Sequence, residues 1–199
     1  MMNRTSFLAA VSVLIFALFS PVAALAHSEG GVSGGFVSGL LHPVLGWDHV
    51  VAMVAVGLWG AFLGSPAIWL LPVVFPLVMA FGAVLGILGV PVPAVEVGIA
   101  GSAVVLGLLI LFKARLPLVL SAIVVGAFAI FHGYAHGTEL PEAANAAAYA
   151  VGFVIATGLL HVAGIAFGLL LRVPNGVYAV QAGGGVISLV GFAFLFGVA

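Results

Sequence analysis

The chain has 199 residues, 65% of them hydrophobic and 5% charged, with a mean hydropathy of +1.44. Four basic and five acidic side chains are too few to solvate a globular surface, where about a quarter of residues are charged, so the sequence belongs in a lipid bilayer. The net charge of -1 offers no basic face to nucleic acid, and with no cysteine there are no disulfides, thiolate metal ligands or thiol nucleophiles.

The N-terminus reads as a secretory signal peptide. Arg4 precedes an apolar run from about Phe7 to Phe19, followed by Pro21 and the small-residue pattern Ala24-Leu25-Ala26. The apolar run is shorter than the roughly 20 residues a transmembrane helix needs, which favours cleavage after Ala26 over an uncleaved first helix. Residues 1–26 are then the signal peptide, and 27–199 the mature domain.

Six apolar segments follow, at about 43–64, 67–90, 94–112, 116–136, 143–171 and 177–198. The breaks carry turn chemistry: GSPA, GVPVP, KARLP, HGTELPE and RVPNG. Only helices satisfy their own backbone hydrogen bonds in lipid, and the alternation of a membrane barrel is missing. The expectation is therefore an all-α integral membrane protein of six transmembrane helices after a cleaved signal peptide. An N-terminus outside places Lys113, Arg115 and Arg172 in cytoplasmic loops, with Arg4 on the cytoplasmic side of the signal peptide, so all four basic residues obey the positive-inside rule. Both mature termini are then on the outer side. Small residues spaced four apart, such as Gly60 and Gly64, Gly82 and Gly86, and Gly164 and Gly168, suit close helix packing. No convincing internal repeat is visible.

The polar residues gather in two places. In LHPVLGWDHV, Pro43 suits the first turn of a helix, which puts His42 at its start. Asp48 and His49 follow within two turns, and in a continuous helix His42 and His49 share a face. In FHGYAHGTELPE, His132 and His136 stand one helical turn apart, and Glu139 continues their face. The topology brings both groups to the outer membrane face. Neutral imidazoles with carboxylates suit borderline divalent ions such as nickel, cobalt or zinc, and suit magnesium or calcium less well. The expected ligands are His42, Asp48, His49, His132, His136 and Glu139.

Other ionisable groups carry weaker signals. His27 would become the mature N-terminus, either a metal-capturing amine and imidazole or a tail residue. His161 lies well inside the fifth segment, as a station on an ion path or a hydrogen-bonded packing residue. Glu96 opens the third segment, lining the same vestibule or meeting the positive end of its helix. Glu29 and Glu142 read as solvated loop residues.

HPVLGWDH matches the H-x5-D-H signature, and FHGYAHGTE the F-H-G-x-A-H-G-x-E signature, of the HupE/UreJ proteins, and the chain resembles that family over nearly its full length. The resemblance implies a six-helix permease domain and uptake of Ni2+ as a secondary carrier or facilitator in an inner membrane, in support of hydrogenase and urease maturation. It carries ligand roles onto His42, Asp48, His49, His132, His136 and Glu139, leaves Co2+ open, and implies neither an enzyme nor a resident cofactor. The expected partners are the metal ion and the bilayer, with homo-oligomerisation left open. No G-x-x-x-x-G-K-[ST] loop is present and Lys113 is the sole lysine, so nucleotide binding by that route is excluded. One rival is an intramembrane zinc-dependent hydrolase, which lacks an H-E-x-x-H pair or nucleophile elbow. Another is a haem protein with two axial histidines, which leaves the carboxylates unexplained.

Overall fold

The computed structural model describes residues 35–138 and 145–198. The expected signal peptide, His27, Glu29, Glu139 and Glu142 lie outside the described residues. Among the described residues the chain is all helix: α1 (Phe36–Leu45), α2 (Trp47–Leu63), α3 (Ala67–Ile87), α4 (Val95–Leu111), α5 (Leu118–Thr138), α6 (Ala146–Gly168) with a 3-10 turn at Leu169–Arg172, and α7 (Gly176–Leu195). Four helices are long and apolar enough to cross a bilayer: α3, α5, α6 with its 3-10 extension, and α7. The bent pair α1 and α2 makes a fifth such unit, while α4 is apolar but shorter.

The segment expected at 43–64 divides differently. Helix already begins at Phe36, so Pro43 stands inside α1 and His42 in its last turn. The reason is packing of FVSGLL against α6. A Cβ at Gly39 would collide with the Tyr149 carbonyl, and one at Gly152 with the Phe36 carbonyl, so only glycine lets the two backbones lie this close. The break falls at Gly46, whose ψ of 110° is extended and ends the helix, and the axis turns by 82° between α1 and α2.

Helix α2 occupies the centre, packed against α1, α3, α4, α6 and α7. Its Ala52, Met53, Ala55, Val56, Leu58 and Trp59 are fully buried. Around it, α3 pairs with α5, α4 with α7, and α6 with both α1 and α2. The bundle is apolar outside as well as within. Trp69, Leu77, Leu88, Val119, Leu159 and Leu189 are each more than 60% exposed, a surface that water would not tolerate and lipid covers. Polar side chains turn inward instead: Ser102, Ser121, His132, Thr157, His161 and Ser188 are all buried.

The described charges separate along the bundle. Asp48 opens α2 and Glu96 opens α4. At the other end of α2, the Arg115 guanidinium lies 4.9 Å over the Phe62 ring and Trp59 Nε1 donates to the Ala114 carbonyl at 3.3 Å. Gly168 of α6 packs on Ala61 of α2 at that same end, which places Arg172 there too.

Candidate metal centre

Three helix ends meet around one small volume. His42 comes from the last turn of α1, His49 from the first turn of α2 and His136 from the last turn of α5. One ring nitrogen from each lies within 4.8 Å of the other two. The ring centroids are 5.8 Å apart for His42 and His49, 5.0 Å for His42 and His136, and 4.5 Å for His49 and His136. His42 and His49 therefore meet across the 82° break, not along one helix face as their sevenfold spacing suggests. Gly46 makes this possible, since a Cβ there would stand 3.0 Å from Asp48 Oδ1 and 3.1 Å from His49 Nδ1.

His132 lies one turn below His136 on α5, with its ring 5.6 Å from that of His49. It is fully buried. Its Nδ1–H donates to the Phe128 carbonyl at 3.0 Å, because a carbonyl can only accept. The lone pair is thus on Nε2, which is buried without a hydrogen-bond partner. Asp48 Oδ1 lies 2.7 Å from His49 Nδ1, at ion-pair distance but off the axis of a good hydrogen bond. A carboxylate on that side favours the proton on Nδ1 and leaves Nε2 as the donor to a ligand. Nε2 of His49 and both ring nitrogens of His136 are also buried without partners. Buried polar atoms of this kind each cost about 1–3 kcal/mol when unsatisfied, and those of His49 and His136 belong to the group whose ring nitrogens lie within 4.8 Å of one another.

The close approach of α5 to α3 sets the depth of these rings. A Cβ at Gly133 would strike the Met79 carbonyl, and one at Gly137 the Ala83 carbonyl. The two glycines of the FHGYAHG motif thus serve packing on α3 while the motif's histidines, His132 and His136, are buried toward the centre. Tyr149 and Phe153 of α6 wall the site: Phe153 lies 4.5 Å from His136 and 6.0 Å from His42, and Tyr149 6.1 Å from His42. Neither aromatic was expected from the sequence, where they sit in an apolar run like many others. Their spacing by one turn is the sole local clue.

Of the expected ligands, the structure thus brings His42, His49 and His136 together, with Asp48 and His132 directly beside His49. Glu139 and His27 are not among the described residues. Glu96 is exposed in the first turn of α4, where a negative charge meets the positive end of the helix. His161 is buried on α6, away from the three-helix cluster, and reaches the Phe75 ring.

Comparison with known proteins decides the family. The HupE / UreJ protein family matches residues 14–194. Protein HupE of Rhizobium leguminosarum bv. viciae is 45% identical over 174 residues, covering 87% of this chain and 91% of the relative. The chain belongs to the HupE/UreJ family. No solved structure matches it. Both motifs on which the family resemblance rested fall inside the matched range, and HupE/UreJ proteins are associated with metal transport rather than catalysis. The three ring nitrogens of the histidine cluster lie close enough together to share one ion.

Proposed function

We propose that this chain is a permease that takes up a divalent transition-metal ion, Ni2+ first and Co2+ second, across the bacterial inner membrane. Its entrance is the site of His42, Asp48, His49, His132 and His136, with Glu139 as a further carboxylate. The convergence of three imidazoles from three helices within 4.8 Å carries this reading. Metal–imidazole bonds of about 2.0–2.1 Å place ligand nitrogens about 3 Å apart, so side-chain rotation has to contract the cluster slightly around an ion. A loose, adjustable site suits transport, where binding has to be strong enough to enter and weak enough to leave. Imidazole nitrogens favour nickel and cobalt over magnesium and calcium, and Asp48 lowers the cost of bringing a dication beside apolar helices.

The membrane reading completes the geometry. The broken pair α1–α2 with α3, α4, α5, α6 and α7 makes six spans. Lys113, Arg115 and Arg172 mark the cytoplasmic end by the positive-inside rule, so the histidine cluster faces outward, toward arriving metal. The inside-negative potential then favours inward movement of two charges by about 4.6 kcal/mol per 100 mV, and secondary or facilitated transport follows without nucleotide.

Uptake of radiolabelled Ni2+ at trace concentration, in cells lacking other nickel uptake, tests the proposal. The intact chain should accumulate nickel, and His42→Ala and His132→Ala should not. Normal uptake by both variants removes the site assignment, and no uptake by intact protein present in the membrane removes the permease. Asp48→Asn keeps shape but removes charge and the bias on the His49 tautomer. Loss of such a supporting partner weakens metal affinity by about 10–100-fold, so its concentration for half-maximal uptake should rise by that factor while the maximal rate changes less. An unchanged half-saturation would show that Asp48 plays no part in capture.

A further inference from the structure

Resting on the permease reading, we propose that Thr157 and His161 of α6 form a second, inner station for the ion, and that Phe75 of α3 is the barrier between it and the outer cluster. His161 is 1% exposed and Thr157 fully buried. Both ring nitrogens of His161 and the hydroxyl oxygen of Thr157 lack hydrogen-bond partners. The two residues are one helical turn apart, so they share a face of α6. A purely structural interior would place Leu and Val here and leave no polar atom unsatisfied; an ionisable side chain kept inside a membrane bundle marks a pathway.

The station lies deeper than the outer cluster. The Gly57 position on α2 is closed by the His161 carbonyl, and Gly57 is two helical turns beyond His49, about 12 Å along the helix at 1.5 Å per residue. Phe75 links the two levels. Its ring is fully buried and touches both histidines edge-on, with centroids 5.5 Å from His132 and 5.5 Å from His161. An ion leaving His132 therefore meets an aromatic ring before it reaches His161. Phe75 also stands between Pro72 and Pro76 within α3. Neither proline has an N–H, so the helix loses two hydrogen bonds around the phenylalanine and bends there more readily than elsewhere. The barrier is thus mounted on the softest turn of its helix. An imidazole and a hydroxyl supply two protein ligands, with the ion keeping water in its other positions, a weak donor set from which release inward is fast.

The test separates binding from passage. Purified chain in lipid nanodiscs is titrated with radiolabelled Ni2+, and the same variants are assayed for Ni2+ uptake into proteoliposomes. His161→Leu preserves volume and Thr157→Val preserves shape, so both keep the fold if the polar atoms serve transport alone. Both should keep the tighter nickel binding of the outer cluster, which is untouched, and lose at most the weak inner binding. Uptake should fall on the order of tenfold or more for His161→Leu, the size of effect seen when a metal loses a supporting group, and less for Thr157→Val. His42→Ala should lose binding and uptake together. If His161→Leu folds, binds and transports like the intact chain, the inner station is overturned while the permease reading stands. If the intact chain neither binds nor transports nickel, both fall. Phe75→Leu should change the uptake rate without changing equilibrium binding; equal rates would remove Phe75 as the barrier.

Discussion

Replacing His49 by alanine is expected to reduce nickel uptake by about a hundredfold or more, the upper range for loss of a group that supports a metal, without lowering the melting temperature. Among the ring contacts of the described residues, His49 is the one histidine that meets all three of its neighbours, His42, His132 and His136. It is also the partner of Asp48. Its loss therefore removes a donor from the centre of the cluster and detaches the carboxylate from it. The effect on stability runs the other way. The ring is buried with Nε2 unpartnered, beside His136 in the same condition, so truncation relieves unsatisfied polar atoms even as it opens a small cavity. A side chain that serves function at the expense of stability shows this pattern. Uptake assays and thermal unfolding in detergent, run on the same preparations, check both halves. A large drop in melting temperature with residual uptake would mean that His49 is a packing residue.

The largest effect on the fold is expected at Gly57. A Cβ built there would overlap the His161 carbonyl, and one at Gly164 the Val54 carbonyl, so each glycine of the α2–α6 contact receives the other helix's backbone. Gly57→Leu must drive the central helix away from α6. Overpacking a tight site costs about 1–3 kcal/mol and occasionally more, and a clash against rigid backbone belongs at the upper end. Both histidine levels hang on this pair, His49 from α2 and His161 from α6, so uptake should fall with stability. Gly158→Ala, on the same helix as Gly164 but with nothing within 4 Å of its Cβ position, is the control. It should leave unfolding unchanged or raise the midpoint slightly, because alanine favours helix by up to about 1 kcal/mol over glycine. Equal behaviour of the two variants in thermal unfolding would show that the close approach is not what holds α2 and α6 together.

Much of this was open to reading along the chain. Apolar segments between turn residues gave the helices from α3 to α7 to within a few residues, because in lipid the backbone must bond to itself wherever side chains are apolar. The basic residues and the two histidine motifs could be assigned to opposite ends from topology alone. The motifs also named the family that the comparisons established. What could not be read was where the first helix breaks. Pro43 is the stronger local signal and Gly46 the actual bend, since Gly39 and Gly152 hold the helix through His42 by contacts with a segment more than a hundred residues away.

By itself, then, the sequence determined the membrane class, the helical content and the residue types at the site, because these follow from hydropathy, backbone hydrogen bonding and local spacing. Only the tertiary structure decided which of those residues meet. It turned α1 by 82° against α2 so that His42 and His49 converge with His136, set Tyr149 and Phe153 around them, and put Phe75 between His132 and His161. The reason is that convergence of side chains from different helices depends on how closely backbones approach, which small residues permit but only their packed partners specify.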